Sequence, residues 1–180
     1  MGSREAGSRA DGAGAGRSWR LLGAGDLDAA AVLASIVHPD YPEDVSVFAE
    51  RLALFPQGCF ALCDAGRLIG YALSHPWLLG EPPRLNSLLG RLPERPTTLH
   101  VHDVALLPEA RGRGAGSAIV ARIAACAAST GVPSMSLVAV DGALSFWERH
   151  GFRVDDAAAS SASLSTYGEG ARYMVRKLWT

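Results

Sequence analysis

The chain has 180 residues, 48% hydrophobic and 19% charged, the make-up of one globular domain long enough to bury a core. Its 17 basic and 18 acidic residues leave a net charge of −1, so no global field recruits nucleic acid. No apolar run reaches the ~18 residues that a membrane span needs. Three scattered cysteines, Cys59, Cys63 and Cys126, are too few for a disulfide framework or a zinc site, and they predict free thiols in a reducing cytoplasm. All but one of the 17 basic residues are arginine, which with the heavy Ala and Gly usage suggests a GC-rich bacterial genome.

Residues 1–17, MGSREAGSRADGAGAGR, lack the hydrophobic segment of a secretory signal. Ala6 stands where a myristoylation site needs Ser or Thr, so the segment is expected to be a disordered tail before a single domain over 18–180. A short strand in SWRLLG follows. Asp26 is placed to cap a helix in LDAAAVLASIV, with Leu27, Ala31, Ala34 and Ile36 as its apolar residues. Two prolines in HPDYPEDV break it, and VSVFAERLALF predicts a second helix with Val47, Leu52 and Phe55 inward. Two apolar runs joined by Asp64-Ala65-Gly66-Arg67 predict a β-hairpin. Residues 78–96 hold four of the ten prolines and are expected to form a long ordered loop. Strand 97–107, a glycine turn, a helix over 114–130 and strand 134–140 then make a β-α-β crossover, which demands a locally parallel pair. A short helix in GALSFWERH, a strand in GFRV, a soft Ala/Ser stretch over 157–166 and a closing strand in ARYMVRKLW complete an α/β fold on a mixed sheet with an antiparallel front half.

The segment LHVHDVALLPEARGRGAGSAIV, 99–120, carries the chemistry. Gly112, Gly114 and Gly116 alternate at a strand-to-helix turn, where the absence of Cβ admits a ligand and the helix N-terminus favours an anion. Arg111 and Arg113 add phosphate donors. A P-loop needs a lysine that this turn lacks, and GRGAGS does not match the dinucleotide fingerprint. The remaining readings are a diphosphate cradle or a structural turn with solvated arginines.

ARGRGAGSAIV resembles the acyl-CoA motif of the GNAT superfamily of N-acetyltransferases, [RQ]-x-x-G-x-[GA], filled by Arg111, Gly114 and Gly116. GALSFWERHGF is similar to the family's A-x-x-x-[FY]-E-x-x-G-F segment, with Ala143, Trp147, Glu148, Gly151 and Phe152 in register. The resemblance covers residues 18 to 178. It implies that acetyl-CoA lies between two splayed parallel strands, its pyrophosphate held by backbone N–H groups from Gly112 through Gly114, Ala115 and Gly116 to Ser117. Its pantetheine would pair with the edge at Val104, Ala105 and Leu106, and a bulge there would free N–H groups for the thioester carbonyl. Trp147 occupies the place of the family's tyrosine general acid, and Val140 that of an asparagine.

His100 and His102 share one face of their strand. An ammonium acceptor must lose a proton before it attacks, and imidazole titrates in the range where it can take one. LHVHDVAL is similar to the H-x-H-x-x-A strand of arylalkylamine N-acetyltransferases, which implies a catalytic histidine relay; simple packing of both rings is the other reading. Asp40, Tyr41 and Glu43 in HPDYPED offer an anionic and aromatic acceptor site, or a solvated helix connection. The expected activity is acetyl transfer from acetyl-CoA to a small primary amine, without a metal, by a cytoplasmic monomer or homodimer. Acetylation of a peptide or protein, or CoA binding without catalysis, are the alternatives.

Overall fold

Residues 16–140 and 142–179 are described by the computed structural model of the chain; residues 1–15, most of the expected tail, lie outside them. Arg17, at the tail's end, is tied down: its Nε meets the Asp64 carboxylate at 2.7 Å and Nη1 donates to the Glu109 carbonyl.

Seven strands form one sheet: β1 (Ser18–Leu21), β2 (Cys59–Asp64), β3 (Arg67–Trp77), β4 (Thr98–Leu106), β5 (Ser134–Ala139), β6 (Arg153–Val154) and β7 (Arg172–Lys177), in the order β1-β2-β3-β4-β5-β7-β6. Every pairing is antiparallel except β4 with β5. The crossover between those two carries α3 (Ala115–Thr130), ended at Gly131 in the left-handed conformation (φ 73°). The α/β fold on a mixed sheet with an antiparallel front half is what the element order implied, and it agrees with the fold that the family resemblance implies. The hairpin turn sits at 64–67, with Ala65 and Gly66 at positive φ.

Helices cover both faces. Ile119, Val120 and Ile123 of α3 pack on Phe60, Ala72, Leu99 and Val101, while α1 (Leu27–Val37) and α2 (Val45–Leu54) cover the opposite face, bearing Tyr71, Leu73 and Ala105. The inward residues of α1 are Ala30 and Leu33; Ile36, expected inward, is 60% exposed. Small residues on nearly every side of α1 blur its apolar stripe, so the sheet's shape decides which face turns in. Asp26 does not cap α1. Its carboxylate instead pairs with Arg20 and accepts the Gly23 N–H of a preceding 3-10 turn. On α2 the inward set is Val47, Phe48 and Arg51, the last a fully buried arginine. Residues 78–97 have neither helix nor strand, and the 157–166 stretch contains the short α5 (Ser161–Leu164) between 3-10 turns.

Two departures from regular pairing shape the centre of the molecule. β4 and β5 pair only from Leu99↔Met135 to Val101↔Leu137, and beyond that point they part. On its other side β4 stays paired with β3 through Leu106, but the register skips from Val101↔Ser74 to Asp103↔Leu73. His102 is therefore the extra residue of a bulge, four positions before the end of the strand and not at 104–106 as expected.

Candidate active site

A cleft of about 570 Å³ opens where β4 and β5 separate. Val104 and Leu106 line one wall, Leu137, Val138 and Val140 the other, and α4 (Leu144–Arg149) supplies Phe146 and Trp147. The Ala105 side chain is buried on the opposite face, as strand alternation requires, so this residue offers the cleft only its backbone.

One end of the cleft is the glycine turn. Gly112 and Gly114 have φ of 73° and 78°, and a Cβ at either would meet nothing within 4 Å. They are needed for the backbone conformation, and the space before them is open to a ligand. At Gly116 the demand is packing: a Cβ there would lie 2.9 Å from the Phe146 ring. Gly112, Gly116 and Arg111 line the cleft; Arg111 Nε donates to the Leu106 carbonyl, tying the turn to the end of β4. Arg113 is exposed, and Ala115 begins α3 with its carbonyl accepting Trp19 Nε1–H at 3.1 Å. Ser117 is turned toward α4. His150 Nδ1–H donates to the Phe146 carbonyl, which leaves Nε2 to accept the Ser117 hydroxyl at 3.0 Å. Trp147 is 7% exposed, packed edge-on to Phe146 and Phe152 with ring centroids 5.0 and 5.3 Å away.

The other end is polar, and the bulge builds it. Regular alternation would send Asp103 to the α3 face; the extra residue at His102 leaves His100, His102 and Asp103 all toward α1 and α2. His102 Nε2 lies 3.0 Å from Glu43 Oε2, in the connection before α2. A carboxylate only accepts, so Nε2 carries the hydrogen, and Nδ1 keeps its lone pair with no hydrogen-bond partner. Asp103 accepts the Tyr71 hydroxyl and pairs with His38 Nε2 at 3.1 Å. Burial pushes the Glu43 carboxyl up, but the His102 imidazole beside it more than offsets this, and Glu43 is held below the usual carboxylate range. Asp103 is likewise held low against its burial, by His38 and by the Tyr71 hydroxyl. Burial, and then Asp103, drive Tyr71 far above its ordinary range.

The expected pair of histidines is thus divided. His102 lines the cleft; His100 is buried behind it, its Nδ1 3.2 Å from Ser136 Oγ, and burial holds its pKa well below the ordinary value. A third imidazole, His75 of β3, sits 5.6 Å from His100 and 6.1 Å from His102 between ring centroids. Its Nδ1–H donates to the Pro76 carbonyl, and burial lowers its pKa as well. Of the acceptor set, Tyr41 and Glu43 line the cleft, whereas Asp40 is exposed outside it. Asp103, His38, Leu85 and Tyr167 also line it; sequence reasoning missed all four, and nothing local to them marks them. Among the described residues no group of three or more metal-ligating side chains is placed to hold an ion, and no helix is long and apolar enough to cross a membrane.

A model described as the acetyltransferase (GNAT) family matches residues 28–152. No curated protein sequence matches the chain. Among solved structures, the GphF GNAT-like decarboxylase in complex with isobutyryl-CoA is similar over 90% of this chain and 100% of its own, with 18% identity and a TM-score of 0.75. The loading GNATL domain of CurA from Lyngbya majuscula gives 16% identity and a TM-score of 0.73, over 90% of this chain and 98% of its own. The ribosomal-protein-S18-alanine N-acetyltransferase from Escherichia coli gives 17% and 0.62, over 91% and 95%. At such identities the likeness establishes the fold and leaves the acyl acceptor open.

Proposed function

This chain belongs to the GNAT acetyltransferase family, and we propose that it transfers an acetyl group from acetyl-CoA to a small primary amine with an apolar or aromatic body. The observation that carries the reading is the His102–Glu43 pair, standing at the far end of a cleft that begins at the glycine turn and follows the unpaired edge of β4. The turn accepts a diphosphate: its left-handed glycines face open space, and the first N–H groups of α3 have no carbonyl one turn earlier to bond. The free edge at Val104–Leu106 accepts an extended pantetheine arm by strand addition.

The chemistry follows from the tautomer. The hydrogen bond to Glu43 leaves the Nδ1 lone pair of His102 as the base. Nδ1 is enclosed in the free protein, so the acceptor must uncover it on entering the cleft; the ammonium then gives its proton to Nδ1, and the ionised Glu43 steadies the imidazolium that results. The freed amine nitrogen attacks the thioester carbonyl, the C–S bond breaks, the nitrogen releases its second proton to water as the amide forms, and the leaving thiolate takes a proton from water. Trp147 walls this point from solvent.

Charge at the acceptor end supports a cationic amine without a carboxylate. Arg111, tied to the CoA end, is the one Arg or Lys among the described cleft-lining residues, while Glu43 and Asp103 are both ionised. Val37, Tyr41, Leu85 and Tyr167 offer the body of the amine an apolar and aromatic wall. Release of CoA thiol, measured over a panel of aryl- and alkylamines, amino acids and peptide N-termini, tests this reading. Turnover confined to peptides would replace the acceptor class, and tight acetyl-CoA binding without acceptor-dependent release would make the protein a binding module.

A further inference from the structure

We propose that Asn86 is a positioning residue for the acceptor, locking the 78–97 loop to the catalytic pair through Glu43; the proposal rests on the acceptor end assigned above. The loop is held on two sides. Toward α2, the Glu50 carboxylate accepts the N–H groups of Leu89 and Gly90 at 2.7 and 2.8 Å, and the buried Arg51 donates to the Ser87 carbonyl. Toward the chain's end, Thr166 Oγ1 accepts the Leu85 N–H and the Tyr167 hydroxyl donates to the Pro83 carbonyl. Leu85 and Tyr167, each held by one of these contacts, both line the cleft.

Asn86 lies between the two sides at φ 51°, a left-handed conformation that asparagine tolerates better than most residues. Its N–H donates to Glu43 Oε1 at 3.0 Å, while the other oxygen of the same carboxylate holds His102. Its side chain forms a reciprocal pair with Asp44: Oδ1 accepts the Asp44 N–H at 2.8 Å and Nδ2 donates to Asp44 Oδ2 at 3.1 Å. One carboxylate therefore orients the base and registers the loop that forms the acceptor wall, and the Asn86–Asp44 pair fixes the segment on which Glu43 stands. None of these contacts reaches the glycine turn or the free edge of β4. The lock acts on the acceptor and not on acetyl-CoA.

The test is an exchange of the pair. Asn86→Asp removes the Nδ2–H donor and sets a second carboxylate against Asp44, whereas the double variant Asn86→Asp/Asp44→Asn restores one donor and one acceptor in reversed order. N86D should raise the KM for the acceptor about tenfold, as expected for losing one or two hydrogen bonds each worth a factor of about five. The KM for acetyl-CoA should stay within twofold, and the double variant should recover most of the loss. An unchanged acceptor KM, parallel rises in both KM values, or no recovery on exchange would overturn the lock. Hydrogen exchange of the 84–90 amides, read in the same proteins without substrate, separates this from failure of the functional reading. A wild type inert toward every amine overturns the amine assignment, whereas amides still protected in N86D overturn the lock whatever the substrate is.

Discussion

Glu43 and His102 are almost fully enclosed, their side chains 8% and 2% exposed, yet the Glu43 carboxylate stays ionised because the His102 N–H satisfies it. His100 lacks such a partner. Its hydrogen-bond partner is the Ser136 hydroxyl, the His75 ring lies 5.6 Å away, and burial keeps it neutral. The two imidazoles should therefore contribute unequally. His102→Ala is expected to cost about 100-fold or more in kcat/KM, the scale of a lost general base. His100→Gln should cost far less, and the double variant should resemble His102→Ala. Equal losses from the two single variants would restore a two-ring relay. Trp147 presents the complementary case, a residue that cannot supply what the family's tyrosine would. Indole N–H is not an acid near neutral pH, and a thiol with a pKa of about 8.5 leaves adequately as thiolate. Trp147→Phe keeps an aromatic ring against Phe146 and Phe152 and should lower kcat less than about tenfold. Trp147→Ala opens the wall and should lower it further, so a Phe variant as slow as the Ala variant would show that the N–H itself is required.

Among the elements, the turn into α3 was legible in the sequence, whereas the bulge in β4 was expected only from the family resemblance, and at 104–106 instead of at His102. Gly112 and Gly114 answer a local demand, a positive φ in front of open space, which shows in the sequence as alternating glycines beside arginines. The prediction at this scale belongs there. Gly114→Glu places a carboxylate where a pyrophosphate would bind and strains a left-handed position, so calorimetry should show acetyl-CoA affinity abolished in the folded variant. Unchanged affinity would move the cradle elsewhere. The bulge answers a distant demand. It arises where β4 adjusts to β3, thirty residues earlier, and nothing in LHVHDVAL announces that His102 and Asp103 will face the same way. Strict alternation identifies the face of His100 and His102 correctly and then places Asp103 on the wrong one. The loop was legible as ordered from its prolines. Its bonds to Glu43, Asp44 and Glu50 were hidden, because they join residues about forty apart in the chain.

At the scale of the whole molecule, two buried imidazoles, His75 and His100, set how the fold responds to acid. His75 and His100 are buried, and burial, reinforced by their neighbouring imidazoles and by Arg51, holds both pKa values well below that of an exposed histidine. In the unfolded chain each titrates near its ordinary value of about 6.5. As pH falls through that value the unfolded state takes up protons that the folded state refuses, so stability is lost below about pH 6.5 and is fully present above it. Glu43 and Asp103 act in a separate window. Their lowered values stabilise the fold at neutral pH, and that contribution fades only in the acid range below the ordinary carboxylate values. Each buried histidine should therefore cost about 1.4 kcal/mol of unfolding free energy between pH 7.5 and 5.5, from 2.3RT for each pH unit over which the states differ by one proton. His75→Phe keeps a ring among Trp77, His100 and His102 and removes one of these titrations, while leaving the Pro76 carbonyl without its donor. The variant is expected to be less stable than the wild type at pH 7.5, by about the 1–3 kcal/mol of an unsatisfied buried group. That gap should narrow by about 1.4 kcal/mol at pH 5.5, because only the unfolded wild type gains a proton at residue 75. Urea unfolding of both proteins at the two pH values measures the gap directly. A gap that does not change with pH would mean that His75 accepts its proton in the folded protein, and that the imidazole cluster is open to solvent protons beyond His102.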